Sequence, residues 1–102
     1  MGQIKWTEKA SSNLENIHEF ISKDSSVYAT QFVISLIDST QILENFPYSG
    51  RKVPKFEQYN FRELIRQGYR IIYQIDDSTT DIDVLVIVHL SRDLKLDLIT
   101  DL

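Results

Sequence analysis

The chain has no cysteine among its 102 residues. That excludes disulfides, thiolate nucleophiles and cysteine-based zinc sites, and it fits a reducing compartment. Histidine is nearly as scarce: His18 and His89 are the only two. They fall on different predicted elements with no carboxylate cluster at ligand spacing, so neither a metal nor a cofactor is expected. With three glycines and two prolines there is no glycine-rich phosphate loop, and no Ser-His-Asp arrangement is supported by spacing. No apolar run approaches the roughly 20 residues that cross a bilayer. Met1-Gly2-Gln3-Ile4-Lys5 lacks the basic start, apolar core and cleavage site of a signal peptide, and Trp6 stands where N-myristoylation needs Ser or Thr. The expectation is a cytoplasmic protein without a membrane partner, a single domain over residues 1–102, since this length leaves no room for two cores.

A surplus of positive charge is also missing. The net charge is -4, whereas a protein holding RNA along its whole surface is ordinarily basic, because phosphate neutralisation supplies most of the affinity. The distribution is uneven. Residues 1–50 carry three basic and six acidic side chains, residues 51–70 six and two, and residues 71–102 two and seven. The middle segment is a basic island in an acidic chain.

What is present reads as an α+β domain. Gln3 to Trp6 alternates as a short strand, and Thr7 can cap a helix whose apolar stripe is Ala10, Leu14, Ile17 and Ile21. His18 lies at the edge of that stripe and is read as packing or solvent-facing rather than as a ligand. Asp24-Ser25-Ser26 makes a capped turn into a second helix from Val27 to about Asn45, ended by Asn45-Phe46-Pro47. So short a link makes the two helices an antiparallel hairpin. Residues 47–59, PYSGRKVPKFEQY, read as one ordered, basic, irregular connection. Three strands follow at 60–67, 69–75 and 82–90, with Gln67-Gly68 and Asp76 to Asp81 as turns. In the last strand Ile82, Val84, Val86, Val88 and Leu90 are expected on one face, Leu85 and Ile87 on the other. The order strand-helix-helix-strand-strand-strand predicts a helical hairpin packed on a small, mainly antiparallel sheet. Ser91 to Leu102 carries Leu94, Leu96, Leu98, Ile99 and Leu102 among acids: an edge strand, a short helix, or an exposed apolar tail wanting a partner.

The chemistry-bearing residues form a cationic set: Arg51, Lys52, Lys55, Arg62, Arg66, Arg70, His89 and Arg92, with Glu63 the only carboxylate inside the hairpin. If Gln67-Gly68 is a two-residue turn and Ile75 pairs with Ile82, alternation places Glu63, Arg70 and His89 on one face and Arg62, Arg66 and Tyr73 on the other. A carboxylate, a guanidinium and an imidazole sharing a face would suit acid/base cleavage of RNA. A three-residue turn would dissolve that set. The alternative is structural: Glu63 and Arg70 as an ion pair, His89 as a strand-end residue.

Several motifs in order resemble a known superfamily. Trp6, Ala10, Leu14 and Ile17 are followed by Leu43, Pro47 and Gly50-Arg51, then Arg62-Glu63-Leu64, Tyr69-Arg70-Ile71-Ile72-Tyr73, and Val88-His89-x-x-Arg92-Asp93. Together, from about residue 4 to residue 94, they resemble the RelE/ParE toxins of bacterial type II toxin-antitoxin modules. The resemblance implies one of two activities: ribosome-dependent mRNA cleavage in the RelE branch, or poisoning of DNA gyrase in the ParE branch. Arg62-Glu63-Leu64, the His89 to Asp93 motif and the acidic balance look more like the ParE branch. No catalytic residue is then expected. Arg51, Lys52, Lys55, Arg62, Arg70, His89 and Arg92 become a candidate target-binding surface; in the RelE alternative Arg70, His89 and Glu63 would be catalytic, with ribosome and mRNA as partners. A third reading is an inactive antitoxin-binding module. In each case the resemblance implies a cognate antitoxin in a hetero-oligomer, received by the tail leucines and the groove between helices and sheet.

Overall fold

In the computed structural model, which describes residues 2–100, strand β1 (Ile4–Trp6) runs directly into helix α1 (Glu8–Ser22). Met1 and Leu102, used in reading the two ends, lie outside the described residues. Thr7 makes the switch. Its hydroxyl accepts the Ala10 N–H at 3.1 Å, capping the helix, and donates to the Leu85 carbonyl at 2.8 Å, tying the cap to the sheet. Ser25 caps helix α2 (Ser26–Ser39) in the same way, accepting the Tyr28 N–H at 3.1 Å. His18 Nε2 lies 3.0 Å from Thr30 Oγ1, so that side chain links the two helices.

The second helix does not reach Asn45 unbroken. Ser39 and Thr40 turn their hydroxyls onto the carbonyls of Leu36 and Ile37, at 2.6 and 2.7 Å, and the Thr40 N–H also bonds Ile37. Bonds to carbonyls three residues back tighten the last turn and end it. A separate turn, α3 (Ile42–Asn45), buries Leu43.

The sheet contains β1, β2 (Arg51–Lys52), β3 (Arg62–Arg66), β4 (Tyr69–Ile75) and β5 (Ile82–His89) in the order β1-β5-β4-β3-β2. Among the described residues, only the β1–β5 pairing is parallel. The α+β class and the helical hairpin on a mainly antiparallel sheet are as expected. The connection 47–59 is more structured than its composition suggests, since it holds edge strand β2 and a kinked 3₁₀ segment at Pro54–Tyr59. The tail adopts the short-helix option, α4 (Leu96–Ile99), with Leu94 and Ile99 buried.

Gln67 and Gly68, at φ 52° and 83°, close a two-residue turn that pairs Arg66 with Tyr69. Further along, β5 carries one extra residue. Ile72 pairs with Val86 but Tyr73 pairs with Val84, leaving Leu85 as a bulge. One inserted residue reverses every later side chain. Ile82, Val84 and Ile87 therefore pack under α1 and α2 with Ile71 and Tyr73. Val86 and Val88 join a second cluster on the opposite face with Val53, Phe61, Ile72, Leu94 and Ile99. The single stripe expected from Ile82 to Leu90 is thus split, and both faces of the sheet are covered.

Candidate functional site

The basic island divides between the two faces. Pairing of Arg51 with Glu63 and of Lys52 with Arg62 puts Arg51, Glu63 and Arg70 on the face away from α1 and α2, and Lys52 and Arg62 on the helix side. His89 pairs with Tyr69 and belongs to the helix side too. The shared face expected for Glu63, Arg70 and His89 therefore does not form. The two-residue turn and the Ile75–Ile82 pairing are both present, but the Leu85 bulge carries His89 across the sheet.

On the cleft face Glu63 is wholly buried. Arg51 reaches its Oε1 through Nε at 3.0 Å and Nη2 at 2.9 Å, and Arg70 Nη1 lies 3.2 Å from both carboxylate oxygens. A buried carboxylate is tolerable only when answered in this way. Arg70 is not used up by the pairing: its Nε is buried without a partner among the described residues. Next to it opens a cleft of about 300 Å³ lined by Arg51, Val53, Pro54, Lys55, Arg70, Arg92, Asp93 and Leu94. Lys55 spans its mouth, donating from Nζ to the Leu94 carbonyl at 2.6 Å, with Asp93 Oδ1 at 3.5 Å. Four cations face two carboxylates, Asp93 on the rim and Glu63 beneath, so the cleft keeps a net positive charge.

On the helix side the same residue types serve the scaffold. Arg62 Nη1 donates to the carbonyls of Gly50 and Tyr48 at 2.7 and 3.2 Å, and its guanidinium sits 5.1 Å from the Tyr48 ring centre. Tyr73, fully buried, donates its hydroxyl to the Pro47 carbonyl and accepts the Gly50 N–H, both at 2.9 Å. Burial pushes the Tyr73 phenol pKa up, against the opposing pull of the Gly50 N–H and Arg62. The approach is close enough that a Cβ on Gly50 would lie 2.7 Å from the Glu63 carbonyl oxygen, so only glycine fits. This lock orients the chain entering β2 and so delivers Arg51 to Glu63. His89 packs edge-on against Tyr69 at 5.1 Å. Its Nδ1 accepts the Ser91 N–H at 3.0 Å and lies 2.7 Å from Ser91 Oγ.

Sequence reasoning did not find Tyr73, Gly50 and Pro47 as a unit, nor Val53, Pro54 and Leu94 as the apolar wall of the cleft. The first depends on a buried phenol reaching a loop remote in sequence, which no periodicity encodes. Proline flanking a basic loop was the only available pointer to the second. No helix among the described residues is long and apolar enough to cross a membrane, and no group of three or more potential metal ligands occurs among them.

Residues 4–94 match the family model described as the ParE toxin of type II toxin-antitoxin system, parDE. No curated relative matches. Among solved structures, the chain resembles one from the chromosomal ParDE toxin-antitoxin system of P. aeruginosa, at TM-score 0.70 and 20% identity over 89% of this chain and 98% of that one. It also resembles a chain of the toxin-antitoxin complex RelBE2 of Mycobacterium tuberculosis, at 0.65 and 19% over 86% and 96%. The isolated RelE toxin of E. coli aligns at 0.55 and 18% over 91% and 88%. At these identities the likeness is one of fold.

Proposed function

The chain belongs to the ParE toxin family of type II toxin-antitoxin systems, and we propose that it acts in the cytoplasm by binding DNA gyrase and is neutralised by a cognate antitoxin. The observation that carries this reading is the separation of the acid/base candidates. Glu63 is sealed between Arg51 and Arg70 with no exposed surface, while His89 lies across the sheet, paired with Tyr69. Proton transfer requires groups within hydrogen-bond reach of a common substrate, and these three have no common side. The net charge of -4 also favours protein contact over a grip on nucleic acid. The contact surface in this proposal is the cleft and its rim, Arg51, Lys55, Arg70 and Arg92. An antitoxin covering it would block the toxin directly.

Purified protein added to gyrase and relaxed plasmid is expected to inhibit supercoiling and accumulate cleavage complexes. Untouched gyrase beside ribosome-dependent mRNA cleavage would overturn the proposal. One observation favours that second reading: the cleft is locally cationic, with Arg51, Lys55, Arg70 and Arg92 in its lining, as a phosphate site would be. An mRNA endonuclease requires Arg70→Ala and His89→Ala each to abolish cleavage with the fold intact. Growth arrest on expression of the chain alone separates both readings from an inactive antitoxin-binding module.

A further inference from the structure

The cleft holds more donors than the fold uses. Arg70 commits Nη1 to Glu63, yet its side chain is 23% exposed and lines the cleft. The exposed part of a guanidinium already anchored by one carboxylate can take a second, charge-assisted bond from an anion in the cleft. Arg92 stands exposed on the same wall. At about 300 Å³ the space is at the lower limit of small-ligand sites and suits one side chain rather than a longer group.

The surroundings select among anions. Asp93 sits on the rim beside Lys55, Asp97 follows on α4, and the chain as a whole is acidic. A single anion gains from the local cations, whereas a polyphosphate chain would run on over like charge. Val53, Pro54 and Leu94 form an apolar wall that suits an acid flanked by apolar residues. A carboxylate also matches the planar fork of a guanidinium.

We propose that this cleft receives one Asp or Glu side chain of the antitoxin, held by Arg70 and closed over by Arg92. Charge would then alternate through Arg51, Glu63, Arg70 and the incoming carboxylate. The proposal rests on the reading that an antitoxin is this chain's partner.

The test is calorimetric titration of the purified toxin with the antitoxin encoded in the adjoining reading frame, using wild type, Arg92→Gln and Arg70→Lys. Arg92→Gln is expected to weaken binding about tenfold, and Arg70→Lys, which keeps the charge but loses the fork, by about thirtyfold or more. One Asp→Asn or Glu→Gln change in the antitoxin should reproduce the loss with wild type and add little with Arg70→Lys, the mark of a shared contact. Thermal melts check the fold; should Arg70→Lys not fold, Arg92→Gln and the antitoxin substitutions carry the test. Wild-type affinity in both toxin variants overturns the carboxylate site while leaving the antitoxin reading intact. No binding by wild type removes that reading and the proposal with it. Unchanged antitoxin affinity with a steeply salt-dependent loss of single-stranded RNA binding would make the cleft a phosphate site and overturn the proposal.

Discussion

The two faces of one sheet treat arginine in opposite ways. On the helix side Arg62 is answered by backbone carbonyls of Tyr48 and Gly50, with Tyr73 bracing the same loop through Pro47 and Gly50. On the cleft face Arg51 and Arg70 share one carboxylate, and Arg70 Nε is left over. The first arrangement is closed: carbonyls satisfy the cation without asking anything of a partner. The second is not closed in that way: Arg51 and Arg70 keep part of their side chains exposed beside the shared carboxylate. Arginine count alone therefore says little about function; what matters is which donors the fold has already consumed.

The largest effect should come from removing the charge shared on the cleft face. Glu63→Ala leaves Arg51 and Arg70 without their counter-charge. Loss of one partner of a buried pair costs several kcal/mol, and because Arg51 is more than half exposed we expect the lower end, about 3 kcal/mol, in urea denaturation. Replacing Glu63, Arg51 and Arg70 together by apolar residues should recover much of that loss, since charge and counter-charge leave together.

Next comes the closed side. Tyr73→Phe strands the Pro47 carbonyl and the Gly50 N–H, for about 1–3 kcal/mol. The same variant carries a pH signature. Because the folded phenol titrates above its ordinary value near 10.0, the native state holds its proton where the unfolded chain has lost it. That contribution to stability is complete below pH 10.0 and declines as pH rises through the folded pKa. Stability against pH should show this alkaline loss in wild type and a smaller one in Tyr73→Phe.

A smaller change is expected at the helix start, where Thr7→Ala removes the cap and its tie to Leu85 for about 1 kcal/mol, measurable by thermal melt. Smallest in stability is Arg92→Gln, within about 0.5 kcal/mol because the side chain is exposed. That substitution sharpens the comparison, since it should leave folding alone while weakening partner binding.

Features governed by neighbouring residues were legible in the sequence. The α1 stripe, the Thr7 cap, the capping turn at Asp24-Ser25-Ser26 and the Gln67-Gly68 turn depend on local spacing and turn chemistry, so strand pairing across the hairpin followed correctly. Two features were hidden because several outcomes share one local pattern. Val84-Leu85-Val86 is apolar throughout, so nothing marks Leu85 as the extra residue, yet the bulge moves His89 to the other face. Ser39-Thr40 can continue a helix or bond back on it, and the tertiary fit of Leu36 and Leu43 in the core goes with the break. Strand β2, two residues long, is too short for alternation to register, although it sets Arg51 against Glu63. The error in the candidate site thus came from one bulge, and the cleft that replaced it is assembled from segments far apart in the chain.

The central claim is that this fold acts through protein contact rather than through acid/base chemistry shared by Glu63, Arg70 and His89. Its most direct test is the concentration at which wild type and His89→Ala half-inhibit supercoiling of relaxed plasmid by gyrase. The account predicts inhibition by both at concentrations within about twofold, since a change on the far face should fall within ordinary surface effects. Gyrase unaffected by either protein, with ribosome-bound mRNA cleaved by wild type and spared by His89→Ala, would contradict it.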